Sequence, residues 1–245
     1  MLKYIFQVGR FAASTRPIID DLALNFSFFQ IDTFSTGFYT YLIMAIINLK
    51  KREVECKIVY YGPGRGGKTS NLQYIFQKSR KLMTDEMVSI KTKGDLTLFF
   101  DFVPMGVGKI KGCDVRVQLY TVPGQVKYGS TRKLVLKGVD GLVFVADSLK
   151  VRHEKNLLSL KDLALNLKGY GQNIMKIPLV LQYNKRDLAA EGVPLMPVEE
   201  MEKIYNHQLK APSFAASAIT GENVNDTLKT CLVLTLRSLK KEAGW

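Results

Sequence analysis

Apolar residues along this chain come in two arrangements, and the two alternate. Short β-branched and aromatic runs read as strands at Lys57–Tyr61, Thr97–Val103, Cys113–Thr121, Gly141–Ala146, Ile177–Gln182 and Pro212–Ala216. Elsewhere apolar residues recur every three or four positions and predict helices. The first is Ser70–Arg80, with Leu72, Ile75 and Phe76 at helical spacing, and a short one follows at Thr131–Gly138. Leu157, Leu160, Leu163 and Leu167 mark a third, and Pro197–Asn206 a fourth with Val198, Met201 and Tyr205 inward. The last, Val224–Lys240, carries Val224, Leu228, Cys231, Leu232 and Leu239 on one stripe. Residues 81–96 are polar and without period, hence a loop; Met105–Gly112 reads as a turn joining an antiparallel pair, and Val122–Gln125 as another loop. The six strands and their helices imply a three-layer α/β fold. Its sheet is mostly parallel with one antiparallel edge strand, and helices cover both faces. Ligands of such sheets sit at the carboxyl ends of the strands.

Residues 1–43 break the pattern. They are rich in Phe and Ile but lack sustained periodicity, and the apolar patch Phe38–Leu49 spans twelve residues, too few for a membrane span. No small-residue cleavage site follows an apolar core, which argues against a signal peptide. Met44 lies twelve residues before Cys56, where the first strand of the domain approaches. We expect Met44 to be the initiator, 1–43 to be a disordered or misassigned extension, and 44–245 to form the domain.

Composition adds limits. The 245 residues are 47% apolar, enough for a full core. Cys56, Cys113 and Cys231 are scattered and lack metal spacing, which suggests a reducing cytoplasm and no disulfide framework. His153 and His207 are read as surface residues. Lys and Arg number 35 against 22 acids, a formal charge of +13. The first 43 residues carry three of each sign, so the excess lies beyond them. Such a charge suits anionic partners, including an acidic membrane face. No arginine-rich block or aromatic–basic alternation points to nucleic acid.

The chemistry is concentrated after the first strand. Gly62-Pro63-Gly64-Arg65-Gly66-Gly67-Lys68-Thr69 fits G-x-x-x-x-G-K-[ST], the P-loop of nucleoside triphosphatases, and Ser70 continues into the helix. Glycines let backbone N–H groups turn inward towards phosphate oxygens. The helix N-terminus adds its positive end. Lys68 can bridge the β- and γ-phosphates, and the Thr69 hydroxyl can bind Mg²⁺. A second motif, Asn184-Lys185-Arg186-Asp187, follows the Ile177–Gln182 strand about 120 residues later. A carboxylate there can accept from both N1–H and the 2-amino group of guanine. Adenine lacks that donor pair and would leave it unpaired, at about 1–3 kcal/mol. Asp187 is therefore the candidate guanine reader, with the Lys185 stem over the base plane.

With these motifs the sequence resembles the Ras superfamily of small GTPases, and within it the bacterial gliding-motility and cell-polarity branch. The likeness rests on KIVYYGPG, GKTSNLQYI, TLFFDF, LYTVPGQVKY, RKLVLKGVDGLVFVADS, QYNKRDL and MPVEEM, and covers Met44 to about Lys240. It implies that Gly62–Ser70 hold the phosphates and that Thr69 and Thr97 bind Mg²⁺, with Thr97 sensing the γ-phosphate. Gly124 would offer its N–H to the same phosphate and Gln125 would orient the attacking water. Asn184, Lys185 and Asp187 would bind guanine, supported by Ser217, Ala218 and Ile219. GTP and GDP are then the ligands. The implied partners are a roadblock-fold GTPase-activating protein and effectors of polarity or motility, recruited in the GTP state. The setting would be the cytoplasm, with recruitment to a cell pole.

Two departures shape the expected activity. Most small GTPases carry Asp where this chain has Thr121, although the motility branch shares the Thr; Asp101 is a candidate substitute. Relatives in the branch place Arg before the switch threonine, where Leu96 stands here. A missing arginine finger costs on the order of 10³–10⁵ in rate, so slow intrinsic hydrolysis is expected. Arg65 is expected to point to solvent. The alternative reading is a hydrolysis-deficient pseudo-GTPase that acts as a GTP-bound scaffold; Leu96 and Thr121 favour it and Gln125 opposes it. A P-loop kinase would leave Asn184–Asp187 and Val122–Gln125 without a role. The chain shows neither a prenylatable C-terminal cysteine nor a myristoylation glycine, so no lipid anchor is expected.

Overall fold

A computed structural model describes residues 46–48, 53–80, 88–90, 100–110, 112–124 and 129–242, all within one compact unit, Leu42–Trp245. The readings of residues 1–43, Leu96, Thr97 and Gln125 lie outside the described residues.

The sheet is built around β2 (Glu53–Tyr61), which pairs in parallel with β5 (Cys113–Thr121) on one side and β6 (Gly141–Asp147) on the other. From β6 the order continues in parallel through β7 (Leu179–Asn184) to β8 (Ser213–Ala215). From β5 it continues antiparallel to β4 (Phe100–Ile110) and then β3 (Val88–Ile90). A further three-residue strand, β1 (Ile46–Asn48), lies antiparallel along Glu53–Glu55, on the stretch of β2 that precedes its pairing with β6 at Ile58. The six expected strands are present, the antiparallel one being β4, and β1 and β3 bring the described sheet to eight.

Two expectations need correction. β3 falls inside the stretch read as loop because three residues are too few to show a period. The turn expected at Met105–Gly112 is mostly strand: β4 runs on to Ile110, which pairs with Cys113. Gly106 and Gly108 looked like turn residues, but they flank a shift in the pairing register, which is the place a bulge takes glycine in a strand.

The alternation along β2 divides the core. Cys56, Ile58 and Tyr60 belong to a cluster with Leu72 and Ile75 of α1 (Lys68–Lys78) and with Val224, Leu228, Cys231 and Leu239 of α5 (Val224–Glu242). Val59 and Tyr61 face the other way. They join Val135 and Leu136 of α2 (Gly129–Leu136), Leu163 and Leu167 of α3 (His153–Lys168), and Met201 and Tyr205 of α4 (Val198–Asn206). The second half of α4 winds as a π-helix. β6 is buried along all seven residues, as a central parallel strand covered on both faces must be. A fully buried Leu such as Leu163 contributes about 1.5–3 kcal/mol. His153 is not a plain surface residue: its Nδ1 lies 2.9 Å from the Tyr205 hydroxyl.

At the amino end of the sheet Asp140 and Lys57 exchange bonds. Lys57 N donates to Asp140 Oδ2 at 2.7 Å, and Asp140 N donates to Lys57 O at 2.9 Å. Burial pushes the Asp140 carboxyl up from 3.8 to about 7; Glu242 pushes it further up, while the Lys57 amide and side-chain charge oppose this. Between those values the native state holds a proton that the unfolded state has released, so stability falls as pH rises through that window. The Asp140→Asn variant keeps an acceptor for Lys57 N and carries no charge. Urea unfolding at a series of pH values should show its stability rising relative to wild type from about pH 5 to pH 7, with the gain levelling off above.

Candidate functional site

The carboxyl ends of β2, β5, β6 and β7 open onto one cavity of about 510 Å³. The chain leaves β2 at Tyr61 and crosses the top of β6. A Cβ on Gly62 would stand 2.2 Å from Val145 O, so only glycine lets the loop lie this close. It enters α1 through Gly67, at φ +99°, where a Cβ would meet Asn184 Nδ2 at 2.1 Å. Lys68 is buried in the first turn, and its ammonium donates to Gly62 O at 2.9 Å and Pro63 O at 2.7 Å. Thr69 and Ser70 follow along the cavity wall. The described residues thus supply a glycine loop leading into a helix N-terminus, with a buried cation held on two loop carbonyls, an arrangement that suits an anion.

Asn184 joins this loop to the rest. Its Nδ2 donates to Gly66 O at 2.8 Å, and its Oδ1 accepts from Ala218 N at 2.8 Å. Ser217, fully buried, closes the last loop by accepting from Ile219 N and Thr220 N. Lys185 adopts φ +74° and donates from Nζ to Asp147 Oδ2 at 2.8 Å, which leaves its stem along the cavity. Asp187 lines the same end, and its Oδ1 is buried without a hydrogen-bond partner among the described residues. An unpaired buried carboxylate oxygen costs about 1–3 kcal/mol or more unless a ligand supplies the donor. Ile219, 75% exposed, also lines the cavity and gives it an apolar lip.

The opposite wall is Thr121, Val122, Pro123 and Gly124. Gly64 N donates to Gly124 O at 3.1 Å, so the two loops touch. Arg132 of α2 donates to Pro123 O at 3.3 Å while its Nε donates to Asp162 at 2.7 Å, and Asp162 also accepts a hydrogen bond from the Tyr61 hydroxyl. Arg65 is exposed, as expected, yet it borders the cavity.

Of the residues read from sequence, the structure gathers Gly64, Arg65, Gly67, Lys68, Thr69, Ser70, Gly124, Asn184, Lys185, Asp187, Ala218 and Ile219 around one cavity. Gly62, Pro63, Gly66 and Ser217 brace it from behind through the bonds and contacts above. Sequence reasoning missed Asp147 and Arg152. The available signal was a lone carboxylate ending the otherwise apolar run Gly141–Ala146 at the ligand-binding edge.

Comparison with known proteins now decides the relationship. The sequence profile of the Ras family matches residues 57–237. The chain belongs to the Ras family. It is also 52% identical over 198 residues to the mutual gliding-motility protein MglA of Myxococcus xanthus (strain DK1622), an alignment covering 81% of this chain and 99% of that protein. No helix among the described residues is long and apolar enough to cross a membrane.

Asn184 is the residue whose loss the architecture should feel most. Asn184→Ala would strand Gly66 O and Ala218 N in a buried position, an expected loss of about 1–3 kcal/mol. Equilibrium urea denaturation checks this, and the effect should be present without added nucleotide.

Proposed function

We propose that this protein is a GTP-binding switch that hydrolyses GTP slowly to GDP and recruits effectors in the GTP state to control cell polarity or motility. The observation that carries the reading is Asp187 Oδ1, buried and without a hydrogen-bond partner among the described residues, lining a cavity that the glycine loop and the Lys68 ammonium also line. A ligand with paired N–H donors at one end and an anion at the other fits that arrangement, and a guanine nucleotide has both.

The residues divide the work. Amides of the Gly62–Thr69 loop and the α1 N-terminus bind the phosphates. Lys68 exchanges its two loop carbonyls for phosphate oxygens. Asp187 accepts from N1–H and the 2-amino group; Lys185 covers one face of the base, with its charge held on Asp147. Ala218 and Ile219 border the base edge, held by Asn184 and Ser217. Thr69 would hold Mg²⁺ together with Thr97; the ion takes few protein oxygens because it keeps water and phosphate oxygens, and it would neutralise phosphate charge. Gln125 orients the water, and Gly124 offers its N–H to the terminal phosphate. Loss of that phosphate frees Thr97 and Gly124, which is the switch.

The MglA relative is named for gliding motility, and the 52% identity supports the same sphere for this chain. A roadblock-fold, MglB-like activator and motility or polarity effectors are the partners we propose. The protein would act in the cytoplasm with recruitment to a pole. Leu96 and Thr121 also favour a second reading, a GTP-holding scaffold without turnover.

Titration with fluorescent nucleotides tests the first claim: GTP and GDP should bind, and ATP should not compete. Asp187→Asn should reduce the guanine preference by roughly 10- to 100-fold, the equivalent of one or two lost hydrogen bonds to a charged group. Single-turnover hydrolysis separates the two readings. Slow turnover lost in Gln125→Leu supports the switch, and no turnover with or without an activator supports the scaffold.

A further inference from the structure

Arg152 is the last residue of a short 3₁₀ turn, Lys150–Arg152, between β6 and α3. Its side chain is 16% exposed and does not border the cavity. Its Nη2 donates to Gly64 O, and its Nε lies 3.4 Å from Asp147 Oδ2. Asp147 is fully buried. One of its oxygens also accepts from Lys185 Nζ at 2.8 Å, and the other accepts from Leu149 N at 3.1 Å. The Asp147 backbone is itself fixed by Asn156, which donates to its carbonyl at 2.8 Å and accepts from its N–H at 2.9 Å. One carboxylate on a rigid strand end thus holds two cations, one reaching the phosphate loop and one belonging to the base loop.

The bond to Gly64 has a geometric consequence. In a trans peptide the carbonyl and the following N–H point in opposite directions. Arg152 holds Gly64 O from behind the loop, so the N–H of Arg65 is turned towards the cavity. Arg65 is a non-glycine residue at φ +63°, a left-handed backbone that L side chains avoid. Such a conformation persists where neighbours over-determine it. We propose that Arg152, anchored on Asp147, is a positioning residue that locks the Gly64–Arg65 peptide in its anion-binding orientation and ties the phosphate loop to Lys185. The proposal rests on the nucleotide reading for its purpose, and its geometry stands without it.

Hydrogen exchange of the purified full chain and release of a fluorescent GDP from it test the idea together. In Arg152→Met, amides of residues 62–67 should exchange faster while those of α5 stay unchanged, and GDP release should accelerate on the order of tenfold, the effect of one lost charge-assisted hydrogen bond. Arg152→Lys keeps the charge with a compact donor and should restore part of both properties. Unchanged loop exchange in Arg152→Met would overturn the proposal, as would an equal rise in α5, which would mean general loosening. Wild-type protein that binds no GDP would sink the nucleotide reading alone, because loop exchange still reports on the brace.

Discussion

Two loops at the carboxyl edge of this sheet meet on one side-chain amide. Asn184 ends β7, and its two polar atoms serve two loops that are far apart in sequence: Gly66 O before α1 and Ala218 N after β8. Each is held because a buried amide supplies what a strand neighbour would supply elsewhere. Gly67 packs so close to the same amide that a Cβ there would collide with it. The glycine loop and the Ala218 loop, on two sides of the cavity, are therefore joined through one side chain.

Charge is arranged around that junction in the same economical way. The chain carries an excess of 13 positive charges, and Lys68, Lys185 and Arg152, at or beside the cavity, are tethered. Lys68 sits on loop carbonyls, and Lys185 and Arg152 share Asp147. Tethering limits the entropy lost when an anion arrives and keeps the cations from collapsing onto one another. It also explains why a fully buried carboxylate is tolerated at Asp147: two cations and a backbone amide surround it.

Much of this was legible in the sequence because local pattern and chemistry coincide. The strand–glycine loop–helix run from Lys57 could be placed from residue types alone, and so could the position of Asp187 just beyond a strand end, where it lines the cavity. The alternation in Cys113–Thr121 and the leucine spacing in α3 carried the layers. What escaped detection has physical reasons. β1 and β3 are three residues each and have no period to read. The extension of β4 was hidden by glycines at Gly106 and Gly108, which signal a turn locally but flank a pairing shift in the sheet. Asp147 and Arg152 act through partners distant in sequence, Lys185 and Gly64, and only the folded chain brings those together.

The cavity's other wall is built differently, and the difference matters for a switch. Gly124 meets the phosphate loop through one backbone hydrogen bond, to Gly64 N, worth a net of about 0.5–1.5 kcal/mol. Pro123 is held from behind by Arg132, whose partner Asp162 also binds Tyr61 at the end of β2. The Asn184 side is thus fixed by buried bonds to two loops, whereas the Gly124 side is fixed by a contact that a phosphate oxygen can readily outbid. A ligand shifts an equilibrium only by its differential affinity for the two states, so a weakly held wall facing a strongly held one is where a terminal phosphate has most leverage. In the proposed cycle Gly124 would then move together with Thr97, while the base end keeps the nucleotide bound through the change.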